Sequence, residues 1–209
     1  MSAVKTVPVL WLVCFHPALA RQSDSGSPEF RVHVRVYESA NLASDELSRA
    51  EQEAEKIFRF AGIELTWSKG SLNAEVSGNT PAERWNSAYL QLRLWPSAPA
   101  GKETTSSETL GFCLSFDRGD AVVLVGAIRK RSVFGTTSFS DLLGLAMAHE
   151  LGHLLLRSAK HSAAGIMRAR WTERGLRDDE RGYLRFTPGE TELMRKEVSR
   201  RSDLDWHPR

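Results

Sequence analysis

The segment LLGLAMAHELGHLLL, residues 142–156, constrains this chain more than any other part of it. It is apolar almost throughout, which is the composition of a helix buried on all sides. Yet His149, Glu150 and His153 stand near its centre. Burying a polar group without a partner costs roughly 2–7 kcal/mol, so any fold enclosing this helix must supply partners for all three. The spacing suggests what they are. In H-E-x-x-H the histidines sit at i and i+4, on one helical face with Cβ atoms about 5–6 Å apart. Two ring nitrogens can then reach one metal ion at about 2.0–2.1 Å each. Glu150 is one step round the helix, beside the metal, where a base can take a proton from water held there. The plainer alternative is two histidines hydrogen-bonded in a core. The helix is expected from about Ser140 to Leu156, capped by Ser138 or Ser140.

A catalytic zinc site usually has three protein ligands. Beyond the helix the chain runs RSAK to His161, then Ser162 and Gly165-Ile166-Met167. His161 lies where a chain leaving the helix can turn back to the metal, and it is the first candidate for third ligand. Glu173 is the alternative, since carboxylates also bind zinc. It lies farther on, at a spacing that suits a ligand carried on a second helix, and the intervening HSAAGIMRARW has no helical apolar period.

The rest of the chain reads as one α/β or α+β domain over residues 30–199. Val32, Val34 and Val36 alternate with Arg31, His33 and Arg35, a half-buried strand. A helix follows from Ser44, with apolar positions from Leu47 to Ala61 on one face and Gly62 to end it. Strands are expected at Ile63–Trp67, Tyr89–Trp95, Leu110–Phe116 and Ala121–Val125, with long polar loops between the second, third and fourth of them. Thr187, Pro188 and Glu190 have capping-box spacing for a last helix from Pro188 to Ser199. Residues 200–209 read as a polar tail. Hydrophobic residues at 41% and charged residues at 26% suit a globular chain. A net charge of +2 argues against nucleic acid as a partner. No apolar run approaches the roughly 20 residues that a membrane-spanning helix needs.

Residues 1–20, MSAVKTVPVLWLVCFHPALA, combine Lys5, an apolar stretch and a small-x-small ending at Ala18-Leu19-Ala20. This is the pattern of a secretory signal peptide cut after Ala20, followed by a short polar linker, 21–29. The expectation is a secreted or periplasmic protein. Cleavage would remove Cys14 and leave Cys113 alone, so no internal disulfide is expected.

H-E-x-x-H, a histidine shortly afterwards and a methionine turn together resemble the metzincin zinc metallopeptidases. His161-Ser162 followed by Met167 is especially similar to the matrixin-like branch, and to small bacterial secreted proteins bearing HELGHLLL and then HS-x-x-GIM. The resemblance implies a twisted, mostly parallel sheet of about five strands with an antiparallel edge strand. An active-site helix and a second helix pack on that sheet, and a C-terminal helix follows. It implies a monomeric peptidase with Zn2+ as cofactor and a peptide or protein substrate. His149, His153 and His161 would be the metal ligands, Glu150 would activate the water, and Met167 would form an apolar floor beneath the metal. The edge strand before the active-site helix would hold the extended substrate. The chain departs from the metzincin pattern in spacing: Leu156 and Ala159 occupy the positions of its glycine and third histidine, and His161 comes two residues later. The alternatives are a gluzincin-like hydrolase using Glu173, and a non-catalytic secreted zinc protein on the same scaffold.

Several further residues have plain readings. Cys113 is expected to be a buried strand thiol, although a cysteine can also block a zinc site. Arg129-Lys130-Arg131, ahead of the active-site helix, could attract an acidic substrate, but its plainer reading is a solvated loop; His33 reads as exposed, and Asp117-Arg118-Gly119-Asp120 as a turn rather than an adhesion tripeptide. Tyr183 fits no motif, though a phenol can stabilise an oxyanion.

Overall fold

Alternating valines put β1, Phe30–Glu38, into the middle of a five-stranded sheet. Val32, Val34 and Val36 are buried on one face, while the intervening residues are half-buried on the other. The computed structural model describes residues 29–70, 88–99, 109–177 and 184–205. The other strands are β2 (Ile63–Lys69), β3 (Ala88–Trp95), β4 (Gly111–Ser115) and β5 (Asp120–Leu124), in the spatial order β2-β1-β3-β5-β4. β1, β2, β3 and β5 are parallel to their neighbours. β4 is the antiparallel edge, and its ladder with β5 slips between Cys113 and Ser115. The sheet is therefore mostly parallel with one antiparallel edge strand, as the resemblance implies.

α1, Ser44–Phe60, supplies the crossover between β1 and β2. Parallel strands need such a connection because a tight hairpin cannot join them. Glu46 accepts a hydrogen bond from the Ala43 amide at 3.1 Å, and Gly62, at φ 66°, ends the helix as expected. Leu47, Ala50, Ala54, Ile57 and Phe58 are its buried stripe. The stripe packs on α3, Phe139–Leu156, which also lies against β3, β4 and β5. Contact is close at Gly144, where a Cβ would come within 2.6 Å of the Ala50 carbonyl oxygen. The core thus sits between the valine face of the sheet and the pair α1 and α3. α5, Pro188–Asp205, touches α3, β1 and β3.

Some expectations need correction. Arg129-Lys130-Arg131 is not a loop: it belongs to a helix, α2, Val125–Phe134. α2 follows directly from β5, has no side-chain cap and buries only Val125 and Ile128, so neither a start signal nor an apolar period marks it. Val125 belongs to this helix and not to the preceding strand. The region from Arg200 is helical as far as Asp205 and not a tail, and Arg201 within it is held by polar contacts. Arg201 pairs with Glu197 at 2.8 Å and donates to the Phe116 carbonyl at 2.6 Å. His33 is half-buried: its ring nitrogens lie 3.1 Å from the Thr66 hydroxyl and 2.8 Å from the Ser68 hydroxyl. The turn before β5 is a plain turn, with Gly119 at φ 64° and Asp120 buried in an ion pair with Arg93 at 2.9 Å. The leader, most of the linker, Tyr183 and residues 206–209 lie outside the described residues.

Candidate metal centre

α3 begins where the Asp141 amide donates to the Ser138 hydroxyl at 3.1 Å. His149, Glu150 and His153 are all buried on it, at 7%, 5% and 5% exposure. Each histidine has one ring nitrogen engaged. His149 Nδ1 lies 2.8 Å from the Ile166 carbonyl, and His153 Nδ1 lies 2.7 Å from the Ser158 carbonyl. A carbonyl oxygen only accepts, so Nδ1 must carry the proton in both rings. Nε2 is left with its lone pair, which is the form a metal requires.

The turn after α3 brings the third imidazole back. Arg157 adopts the left-handed conformation at φ 49°, directly after Leu156, and the Ser158 amide bonds back to the His153 carbonyl at 3.2 Å. Arg157 thus makes the turn that the missing glycine would have eased. Its side chain is tied to Asp117 at 2.5 Å. Asp117 carries no helix, yet its carboxyl is held below the ordinary range by the Arg157 hydrogen bond and charge. His161 then stacks near both earlier rings, with centroids 5.2 Å from His149 and 4.9 Å from His153. One ring nitrogen from each of the three imidazoles lies within 4.8 Å of the others. The structure therefore brings His149, His153 and His161 together. Glu173 begins a short helix, α4, Glu173–Arg177, and its side chain lies outside the described residues.

Met167 is fully buried under the helix. Gly152, between the two helical histidines, makes room for it: a Cβ there would lie 2.7 Å from the Met167 sulfur and 2.7 Å from the Phe186 ring. The loop between His161 and Met167 is closed by the Ser162 amide, which bonds to the Met167 carbonyl at 2.8 Å. Gly165, at φ 73°, takes a backbone conformation that L side chains rarely adopt. Trp171 stands edge-on to His149 at 5.4 Å and donates to the same Ile166 carbonyl at 3.0 Å.

Burial pushes the His149 imidazole down to about 3, helped by the charges of His153 and His161. His153 is lowered for the same first reason. Both therefore stay neutral at physiological pH and available as ligands. Burial pushes Glu150 the other way, up to about 8, and its Oε2 has no hydrogen-bond partner among the described residues. A buried, unpartnered carboxylate oxygen beside three imidazoles suits a bound cation, which would restore the solvation lost on burial. The donor set itself, three imidazoles, is one that zinc takes. Gly111 on β4 packs directly on Glu150, where a Cβ would come within 2.7 Å of the Glu150 side chain and 2.6 Å of the Val122 carbonyl oxygen. Cys113 is half-buried nearby, its thiol pushed up to about 12 by burial and by Glu150. It is a protonated strand thiol and not a reactive one.

The sequence matches no protein-family model and no curated protein. Among solved structures it is similar to a zinc-dependent peptidase from Methanocorpusculum labreanum. The match has a TM-score of 0.51 at 13% identity and covers 77% of this chain and 99% of that one. Archaemetzincin from Methanopyrus kandleri gives 0.47 at 15% identity, over 83% of this chain and 98% of its own. Metalloproteinase-II from Bacteroides fragilis gives 0.47 at 14% identity, over 82% and 54%. The first likeness is one of fold; the chemistry is carried by the residues of this chain.

Residue pattern alone did not mark Gly111, Trp171 or the turn at Arg157. Each acts through a contact with a distant segment or through backbone conformation. Glu190 was visible only as a helix cap. It also accepts a hydrogen bond from the Ser162 hydroxyl, beside His161.

Proposed function

We propose that the chain is a secreted zinc metallopeptidase. The observation that carries this reading is the convergence of three imidazoles beside a buried carboxyl whose Oε2 has no partner among the described residues. His149, His153 and His161 would hold the zinc. When bound, zinc supplies Lewis-acid polarisation and lowers the pKa of water to about 7. The Ile166 and Ser158 carbonyls orient the two helical imidazoles and fix their tautomer. Glu150 takes the proton from the attacking water as its oxygen adds to the scissile carbonyl carbon. It then delivers that proton to the departing amine nitrogen as the C–N bond breaks. A carboxyl that burial biases toward its protonated form can hold the proton between these steps. Gly111 keeps the Glu150 side chain in place, and β4 offers its free edge to an extended peptide by strand addition.

The test is Glu150→Ala. It should bind zinc as the wild type does and lose about 10²–10⁴-fold in peptide hydrolysis, the range general-base catalysis commonly contributes. Zinc content and turnover of a peptide library, measured on the same preparations, check both halves. A fully active Glu150→Ala protein would refute the mechanism.

A further inference from the structure

Beside the triad lies a cavity of about 220 Å³, between β4, α3 and the segment that follows Met167. Its size suits one side chain rather than a whole small-molecule ligand, for which pockets of roughly 300–1,000 Å³ are usual. The walls are unusual in charge: Arg131, Arg168 and Arg170 line it, and among the described residues around it Glu150 is the one carboxyl.

Arg131 is the best placed of the three. It reaches in from α2, is half-buried, and donates through Nη2 to the Trp171 carbonyl, which fixes the plane of its guanidinium. Its Nε is buried and has no hydrogen-bond partner among the described residues. A buried N–H left unpaired is costly, and a ligand acceptor would remove that cost. Arg168 stands at the exposed rim. Its backbone bridges to Ser162, so its position is tied to the loop that carries His161. A planar fork of N–H donors recognises a planar carboxylate by paired, charge-assisted hydrogen bonds.

We propose that this cavity binds a substrate carboxylate: an Asp or Glu side chain adjoining the scissile bond, or the free C-terminus of a short peptide. The proposal deepens the peptidase reading and rests on it for the position of the peptide. Arg131 forms the base of the pocket and Arg168 its rim. Neutral substrates leave the Arg131 Nε–H unpaired, so the site selects against them as well as for acids.

The test is equilibrium binding of fluorescent peptides to zinc-loaded full-length Glu150→Ala, so that no peptide is consumed. Glu150 lines the same cavity, so the deciding comparison is of the acidic-to-neutral ratio with and without an arginine substitution, both in this background that lacks the carboxylate. C-amidated pentapeptides with a central Glu or Gln test the side chain. The Gln peptide as free acid or amide tests the C-terminus. The expected result is about tenfold tighter binding of one acidic peptide over its neutral twin, the scale of one charge-assisted contact. That ratio should fall toward one when Arg131→Gln is added. Arg168→Gln, at an exposed position, should reduce it without affecting thermal stability, which keeps the test decisive even if Arg131→Gln fails to fold. Equal affinities in both pairs, no measurable binding, or a ratio that survives the arginine substitutions would each overturn the proposal. A retained acidic preference with no hydrolysis by the zinc-loaded wild type would instead overturn the peptidase reading and leave the pocket standing.

Discussion

Glu150 depends on what a residue on another strand lacks. Gly111 has no side chain, and the Glu150 carboxyl occupies the space a Cβ would take. The obstruction is double, because the Val122 carbonyl oxygen blocks the other side and backbone cannot swing away. Gly111→Val should therefore displace Glu150 while leaving the three imidazoles in place. Turnover of a peptide substrate is expected to fall at least tenfold with zinc content unchanged; a variant as active as wild type would show that Glu150 is not held by this contact. The chemistry-bearing residues were readable because H-E-x-x-H ties residue type to helical spacing. Gly111 was not, because a glycine in a strand looks the same whether it bends the chain or makes room for a neighbour. The turn at Arg157 escaped for a related reason: left-handed backbone is expected at glycine, and here an arginine adopts it between two anchors, the Asp117 carboxylate and the helix it ends.

Between elements, the loop carrying His161 is held by α5 through one side chain. Glu190 accepts from the Thr187 amide at 2.7 Å, its own amide donates to the Thr187 hydroxyl at 3.3 Å, and its other oxygen takes the Ser162 hydroxyl. The capping box alone is worth about 1 kcal/mol. The Ser162 contact adds a link from that cap to the residue next to His161. Glu190→Ala should lower thermal stability by that order and also weaken zinc binding, whereas Glu190→Gln, which keeps one acceptor oxygen for the Thr187 amide and offers an NH2 that the Ser162 hydroxyl can turn to accept, should lose less of both. Zinc affinity unchanged in Glu190→Ala would confine the residue to helix capping. At this scale the long amphipathic pieces were plain in the sequence: β1, α1 and the capped starts of α3 and α5. α2 and the end of α5 were not, since one lacks an apolar period and the other is held by Glu197, Arg201 and a strand-end carbonyl.

For the whole molecule, a sheet of order β2-β1-β3-β5-β4 carries α3 across its valine face and leaves β4 as the free edge beside the triad. The mostly parallel sheet and its antiparallel edge strand were implied by the metzincin resemblance. The strand order did not, because alternation shows which face is buried and not which strand lies next to which. No helix among the described residues is long and apolar enough to cross a membrane. The proposed export signal predicts that mass spectrometry of the exported protein finds Arg21 as its first residue. A mature N-terminus inside β1 would mean that a central strand is removed, which this sheet would not survive.

The central claim is that three imidazoles, and not two with a carboxylate, hold the metal. Chelator-competition titration of zinc into wild type, His161→Ala and Glu173→Ala tests it most directly. His161 converges with His149 and His153, and it is reached by a single turn after α3. Zinc affinity should therefore fall sharply in His161→Ala and stay close to wild type in Glu173→Ala. The reverse order, with Glu173→Ala losing zinc and His161→Ala retaining it, would contradict the account.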